Sequence, residues 1–194
     1  MRFNFSWLPD LLKYNGKNFE EYYENVFAVF KKDFIESRPY FKDKPIGLQK
    51  EPMVDNKPQT FHHMTTEEKV GADGKKNRVI AIDRCERIKW NRAIIESNYV
   101  GLKIFPEERS RGRKNLVIWF SEMNYVIILR KAPTYFVFIT AYPVKYEHKR
   151  KALEKSYEKA KKAETASHEA DSTLFLHWHL LNGRWAIIII NYKE

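Results

Sequence analysis

Hydrophobic positions recur at helical spacing near the start of the chain. Between residues 18 and 37, aromatic and branched residues fall three and four apart, and Asn18 stands where a helix N-cap is expected. Pro39 follows, and a proline disfavours helix at the residue before it. The pattern predicts a helix over 18–37 with an aromatic stripe in the core, then an irregular, mostly extended connection over the proline-rich residues 38–60.

Further along, short apolar runs alternate with turn residues. The runs cover residues 99–105, 116–120, 125–129 and 135–142. Runs of this length separated by short turns are typical of an antiparallel meander, in which each strand pairs with the next. We therefore predict a four-stranded antiparallel sheet in the second half of the chain.

The segment before this sheet is mixed. Residues 60–65 predict a short extended piece, the polar stretch 67–77 a loop, and residues 78–82 a strand. Asp83 is then in place to cap a short helix over 84–96.

The end of the chain changes character twice. Residues 147–166 are rich in Lys, Glu and Ala with a thin apolar stripe, which predicts a solvated helix. Residues 167–171 are expected to be a polar linker, and residues 173–190 are apolar and strand-like. The fold class is therefore α+β, with N-terminal helices packed on the sheet, followed by a charged helix and a strand-like tail. We place the domain at 1–166, and a linker and tail of open role at 167–194.

Charge narrows the class of partner. Lys and Arg number 35 against 25 acids, a formal net charge of +10, which attracts polyanions such as nucleic acid. Cys85 is the single cysteine, so an intramolecular disulfide framework is excluded and a cytoplasmic location is expected. The apolar run 185–190 is far too short to span a bilayer as a helix, so no membrane association is expected.

The adjacent pair His62 and His63 is the first candidate for chemistry. On an extended segment neighbouring side chains point to opposite faces, so at most one aims into a given pocket. A histidine titrates near neutral pH and can accept the proton of a ribose 2′-hydroxyl. The alternative is an ordinary surface or packed histidine.

Two more clusters could bind phosphate. On a helix, Arg84 and Arg87 share a face with Trp90 beyond them, and arginine suits phosphate while tryptophan can stack on a base. The alternative is a solvated basic face with Trp90 buried. Strand alternation places Thr140 and Tyr142 on one face with Phe136 and Phe138, where the hydroxyls could position phosphate or satisfy backbone groups. Further predicted contacts to nucleic acid are Lys89, Arg109, Arg111, Arg113, Lys114, Lys131 and Lys145.

Metal and cofactor chemistry is not expected. His177 and His179 have the spacing of two ligands on one strand face, but no Cys or Asp cluster accompanies them. None of the glycines has the spacing of a phosphate-binding loop.

Three runs together carry a family resemblance: residues 60–67, residues 84–90 with 94–96, and residues 140–144. In combination, over about residues 18–160, they resemble a family of small prophage and mobile-element proteins. That family is similar to phage members of the barnase–EndoU–colicin–RelE-like (BECR) ribonuclease fold, in which helices precede a four-stranded antiparallel sheet.

The resemblance implies metal-free RNA cleavage by a histidine, basic residues and a late hydroxyl. Carried onto this chain, these roles fall on His63, on Arg84 with Arg87, and on Thr140 with Tyr142 nearby. The expected partner is RNA or another nucleic acid, and an antitoxin or immunity protein is a further candidate partner that the sequence does not identify. The hypothesis is a toxin-like or phage-derived endoribonuclease. Its rivals are a nucleic-acid-binding module without catalysis and a prophage structural or interaction protein.

Overall fold

The computed structural model describes residues 5–109 and 113–181, with side chains described for 5–108 and 115–166. Its helices are α1 (Phe19–Phe30) with a π-helical continuation (Lys31–Glu36), α2 (Gln59–Thr65), α3 (Ile82–Cys85), α4 (Ile88–Ile95) and α5 (Glu147–Leu181). Its strands are β1 (Tyr40–Phe41), β2 (Lys44–Gly47), β3 (Thr66–Val70), β4 (Lys76–Ile80), β5 (Lys103–Arg109), β6 (Arg113–Phe120), β7 (Tyr125–Lys131) and β8 (Phe136–Pro143).

The main sheet is mixed and has the strand order β1-β2-β8-β7-β6-β5. Strands β5 to β8 pair antiparallel in succession, while β2 lies parallel to β8 through Ile46 opposite Phe136. The α+β class is confirmed, but the main sheet has six strands instead of the predicted four. The proline-rich connection supplies the two extra strands. Proline does not prevent this, since it is tolerated in a short strand where its missing N–H is not needed.

Each face of this sheet buries its own hydrophobic cluster. One face packs against α1, α2 and α4, where Val26, Phe30 and Phe61 are fully buried. The other face carries the α5 cluster, built on Phe105, Val117, Trp119, Val126, Ile128 and Val144 and covered by Leu153, Tyr157 and Ala160 of α5. The thin apolar stripe of the charged helix is therefore its contact with the sheet.

The N-terminal helix forms as expected. The Asn18 side-chain oxygen accepts a hydrogen bond from the Glu21 N–H at 3.2 Å, which satisfies one of the free donors at the helix start. The helix then runs through its π-helical turn to Glu36, before Ser37.

Three local predictions before the sheet were wrong. Residues 60–65 are helical in α2, where the Thr65 hydroxyl donates to the Phe61 carbonyl, so His62 and His63 lie on a helix. The supposed loop 67–77 is mostly the antiparallel pair β3–β4, which turns between Val70 and Lys76. The expected helix 84–96 is two short helices, and Asp83 lies in the first turn of α3 instead of capping it.

The C-terminal prediction also needs correction. Helix α5 continues through residues 167–171 to Leu181, so that stretch is not a linker and residues 173–181 are not a strand. No glycine or proline interrupts residues 147–181, and Ala, Glu and Lys favour helix. The rest of the predicted tail, 182–194, lies outside the described residues. Within the described ranges, no helix is both long and apolar enough to cross a membrane.

Candidate functional site

The second half of β8 meets the end of α2. Strand β2 pairs with β8 at Phe136 and Val137, so the later residues of β8 lie beyond this pairing, and α2 and α3 pack there. The Thr140 hydroxyl donates a hydrogen bond of 3.0 Å to the backbone carbonyl of His63. Two predicted site residues that are 77 positions apart in the chain are thus in direct contact.

Arg84 joins the same cluster from α3. Its Nη1 donates to the carbonyl of His63 at 3.3 Å and to the carbonyl of Thr66 at 2.7 Å. The centre of its guanidinium lies 5.5 Å from the centroid of the Tyr142 ring, within the range of a cation–π contact. The structure therefore brings His63, Arg84, Thr140 and Tyr142 together, and we call these four the α2–β8 cluster.

A β-bulge changes which face these β8 residues share. The register between β7 and β8 shifts so that Ile139 is an extra residue. After the shift, Tyr142 packs with the α5 cluster, while Phe136 and Phe138 belong to the core on the other face. The expected shared face is therefore wrong for Tyr142, because an inserted residue reverses the alternation of a strand.

The two neighbouring histidines have different surroundings. The His62 Nε2 lies 3.0 Å from the carbonyl of Val54 in the preceding loop. His63 is half-buried, and its pKa is lowered by that burial first, then by the positive charges of Arg78, His62 and Arg84. At neutral pH the His63 imidazole is therefore mostly uncharged, which is the form that accepts a proton.

Arg78 is a cation that the sequence prediction did not include. It reaches across the β3–β4 pair, where its Nε donates to the Thr66 hydroxyl at 2.8 Å and its Nη2 to the Thr66 carbonyl at 3.1 Å. This places a second guanidinium close enough to lower the pKa of His63. The signal that could have found it is the alternation of β4, which required the β3–β4 pair to be recognised.

A rim of ion pairs borders the cluster. Lys145 Nζ lies 2.7 Å from a carboxylate oxygen of Asp83 and 3.5 Å from one of Glu67. Lys69 also lies 3.5 Å from Glu67. Lys145, a predicted phosphate contact, is thus already paired with two carboxylates, and a phosphate would have to compete with them.

Arg87 and Trp90 do not join the cluster. The Arg87 Nη1 donates to the carbonyl of Asp83 at 2.8 Å, and its guanidinium lies 5.0 Å from the Trp90 ring centroid. Trp90 is only 4% exposed and donates its indole N–H to the carbonyl of Pro9 at 2.8 Å. The prediction that Trp90 stacks on a base was therefore wrong, because the apolar face of α4 buries it in the core. The half-buried Lys89 lines a separate depression of about 330 Å³ with Asp33.

Of the remaining basic positions, the backbone of Arg109, Arg113, Lys114 and Lys131 lies at the other end of the sheet. Arg109 pairs with Arg113 at the last described residue of β5 and the first of β6, and Lys131 pairs with Phe136. Tyr142 pairs with Val126, at the opposite end of β7. The predicted contacts thus do not form one patch around the α2–β8 cluster. Arg111 and the side chains of Arg109, Arg113 and Lys114 lie outside the described residues.

Within the part of the chain whose side chains are described, no group of three or more His, Cys, Asp or Glu residues is arranged to hold a metal ion. Cys85 is buried, and burial raises the pKa of its thiol to about 12, which disfavours a reactive thiolate.

Comparison of the chain with protein-family models, with curated proteins and with solved structures gives no match in any of the three. The family resemblance stays an expectation from the residues. Function is therefore inferred from the α2–β8 cluster, which combines an uncharged imidazole, the guanidinium group of Arg84 and a phenol ring, with a second guanidinium group, that of Arg78, close by in a chain of net charge +10.

Proposed function

We propose that the protein is a metal-independent endoribonuclease, BECR-like and phage-derived or toxin-like, that acts at the α2–β8 cluster. The observation that carries the proposal is the environment of His63, which is half-buried next to Arg78 and Arg84 and has a lowered pKa. A base that is uncharged at neutral pH and lies beside fixed positive charges suits transfer of a proton near a phosphate.

In this mechanism the His63 imidazole accepts the proton of a ribose 2′-hydroxyl. The 2′-oxygen attacks the adjacent phosphorus, and the bond to the 5′-oxygen breaks, which leaves a cyclic phosphate. The 5′-oxygen takes a proton from water, and His63 later releases its proton to solvent. Arg84 and Arg78 stabilise the negative charge of the pentavalent phosphorane.

Thr140 has an indirect role in this scheme. The Thr140 hydroxyl donates its hydrogen bond to the His63 carbonyl, so Thr140 fixes the end of α2 instead of contacting phosphate. Arg84 also holds that carbonyl through Nη1, and its remaining N–H groups are the ones that would meet the substrate. Tyr142 supports the guanidinium from the side of its ring.

The second candidate is a nucleic-acid-binding module without catalysis. It is favoured by the same hydrogen bonds, because groups that would position phosphate already bind backbone carbonyls. Such a module would bind through the excess of positive charge, and its affinity would fall steeply with salt. An acidic antitoxin or immunity protein would fit either candidate by the same electrostatics.

The test is incubation of the purified protein with labelled single-stranded RNA in EDTA, using His63→Ala and a matched His62→Ala variant. We expect cleavage with cyclic-phosphate ends by the unchanged protein and by His62→Ala, and a loss of at least about 100-fold in His63→Ala, the typical contribution of a general base. Both substitutions remove one imidazole from adjacent positions of α2, so they differ mainly in what surrounds the ring.

Cleavage of equal rate by the His63→Ala protein would assign the activity to a contaminant or to another site. Intact RNA with salt-dependent binding by all three proteins would support the binding module and reject catalysis. If the protein neither cleaves nor binds RNA, both candidates are rejected.

A further inference from the structure

A separate groove lies between the π-helical turn, β2 and the segment over residues 50–58. It encloses about 760 Å³, which is within the range of small-molecule sites. Its apolar lining includes four side chains that also belong to the core or pack against it: Phe27, Phe34, Ile46 and Leu48. None of the α2–β8 cluster residues is among those that line it.

The walls of the groove expose hydrophobic side chains to solvent. Ile35 is 52% exposed, Met53 45% and Tyr135 43%. Ile35 belongs to the π-helical turn, a feature that is often associated with function. Three large apolar side chains around one concave surface favour a binding site over chance exposure.

Gly47 shapes one wall. A Cβ at this position would lie 3.3 Å from a ring carbon of Tyr135, closer than most such contacts. The absence of a side chain in β2 therefore lets the Tyr135 ring lie close to the strand. Tyr135 is itself one of the residues that line the groove.

The charged side chains that line the groove are all cations, and the nearby Glu51 carboxylate accepts a hydrogen bond from the Met53 N–H at 3.1 Å. Lys31, Arg38 and Lys50 line the groove and are exposed, whereas no Asp or Glu is among the lining residues in the described part of the chain. Within the described side chains, no ion pair joins these three cations to a carboxylate. An apolar lining with an unbalanced cationic rim is complementary to a molecule that is both apolar and negatively charged.

We propose that this groove binds a small amphipathic anion, with an aromatic or aliphatic body against Phe27, Ile35 and Tyr135 and one carboxylate, phosphate or sulfonate between Lys31, Arg38 and Lys50. The proposal is independent of RNA cleavage, because it uses other residues on another part of the surface. The adaptable side chain of Met53 suits bodies of more than one shape.

The experiment compares two fluorescent probes that share an apolar body. Anilinonaphthalene sulfonate carries one negative charge, and phenylnaphthylamine has the same ring system without it. We expect saturable binding of the sulfonate to the full chain, with the neutral probe about tenfold weaker, as expected when several exposed cations contribute.

Two triple variants test the cationic rim. Lys31→Gln with Arg38→Gln and Lys50→Gln removes the rim, while Lys155→Gln with Lys159→Gln and Lys162→Gln removes the same charge from the exposed face of α5. The rim variant should weaken the sulfonate about tenfold and leave the neutral probe unchanged, whereas the α5 variant should change neither by more than about twofold. Equal weakening by both variants would show that only bulk charge matters and would overturn the proposal.

A second pair tests the apolar wall. Ile35→Asp should weaken both probes, whereas Val100→Asp, at a position 98% exposed and outside the groove, should weaken neither. Unchanged binding to Ile35→Asp, or equal affinity of the unchanged protein for the two probes, would also overturn the proposal.

Discussion

The α2–β8 cluster and the groove both contain cations, but in opposite environments. Arg84 is half-buried and donates to two backbone carbonyls, and Lys145 beside it pairs with Asp83. In the groove, Lys31 and Arg38 are exposed beside an apolar lining. The first set of cations stabilises the fold at the place where catalysis is proposed, and the second is available to a ligand. Net charge alone could not distinguish these two uses.

Helix α2 belongs to the α2–β8 cluster and also packs against Phe27, which lines the groove, so one residue of this helix should affect both regions. Phe61 is fully buried, and its ring lies 5.0 Å from Phe27, which lines the groove, and 5.3 Å from Tyr23 and from Phe30. Phe61→Ala leaves a cavity under α2 and should lower the free energy of unfolding by about 3–5 kcal/mol, measured by urea denaturation. It should also weaken probe binding in the groove.

Ile35→Ala is the matched control for this prediction. It also removes apolar volume, but from a side chain that is 52% exposed, and should cost less than about 0.5 kcal/mol. A loss below about 1 kcal/mol in Phe61→Ala would mean that α2 does not depend on this aromatic packing.

The comparison between the two sets of cations is tested directly by replacing one arginine from each. Arg84→Met keeps much of the side-chain length but leaves the carbonyls of His63 and Thr66 without this donor. We expect a loss of about 2–3 kcal/mol in the free energy of unfolding, because hydrogen bonds from charged groups are among the stronger ones. Arg38→Met, at the exposed rim, should change it by less than about 0.5 kcal/mol.

Equal effects of the two arginine replacements would contradict the division into structural and ligand-facing cations. A larger effect of Arg38→Met would reverse it. Urea denaturation of both variants in one buffer provides the measurement.

The parts of the fold that the sequence predicted are those with a strong local pattern. The helix ending at Glu36 has a capping Asn18 and a regular aromatic stripe, and the sequences of β5 to β8 are separated by short runs of turn-forming residues. The predictions failed where tertiary contacts decide. Residues 60–65 are short enough to form a strand or a helix, and the packing of Phe61 and Met64 in the core favours the helix.

The candidate site was predictable in part for the same reason. Residues His63, Arg84 and Thr140 come together, but the atoms that touch are backbone carbonyls, which no residue pattern records. The bulge at Ile139 and the position of Arg78 depend on strand register. Trp90 was placed wrongly because the sequence of an amphipathic helix indicates that one face is buried, but not whether a given aromatic side chain lies on that face. The groove had no sequence signal, since its walls come from three distant segments.

A smaller effect is expected from the hydroxyl of Thr140. Thr140→Val keeps the shape of the side chain and removes the 3.0 Å hydrogen bond to the His63 carbonyl. We expect a loss of about 1 kcal/mol in the free energy of unfolding, the net contribution of a typical hydrogen bond. The same replacement at the exposed Thr134 serves as control and should have almost no effect. A stability unchanged in both would show that Arg84 alone satisfies the carbonyl.

The smallest effect concerns the pH dependence of stability. The pKa of His63 is lowered in the folded protein, so below its ordinary value near 6.5 the unfolded chain binds the proton more readily. The stabilisation that comes from the neutral form is complete above this value and is lost as pH falls through the folded pKa. As the pH falls from 8 to 5, the unchanged protein should therefore lose stability relative to His63→Gln, as measured by thermal unfolding. The effect should stay below that of Thr140→Val, because a half-buried ring is screened by solvent. His62→Gln should keep the decline at acid pH, since His63 is still present; if it abolishes the decline while His63→Gln does not, the imidazole beside the two arginines is not the one that titrates.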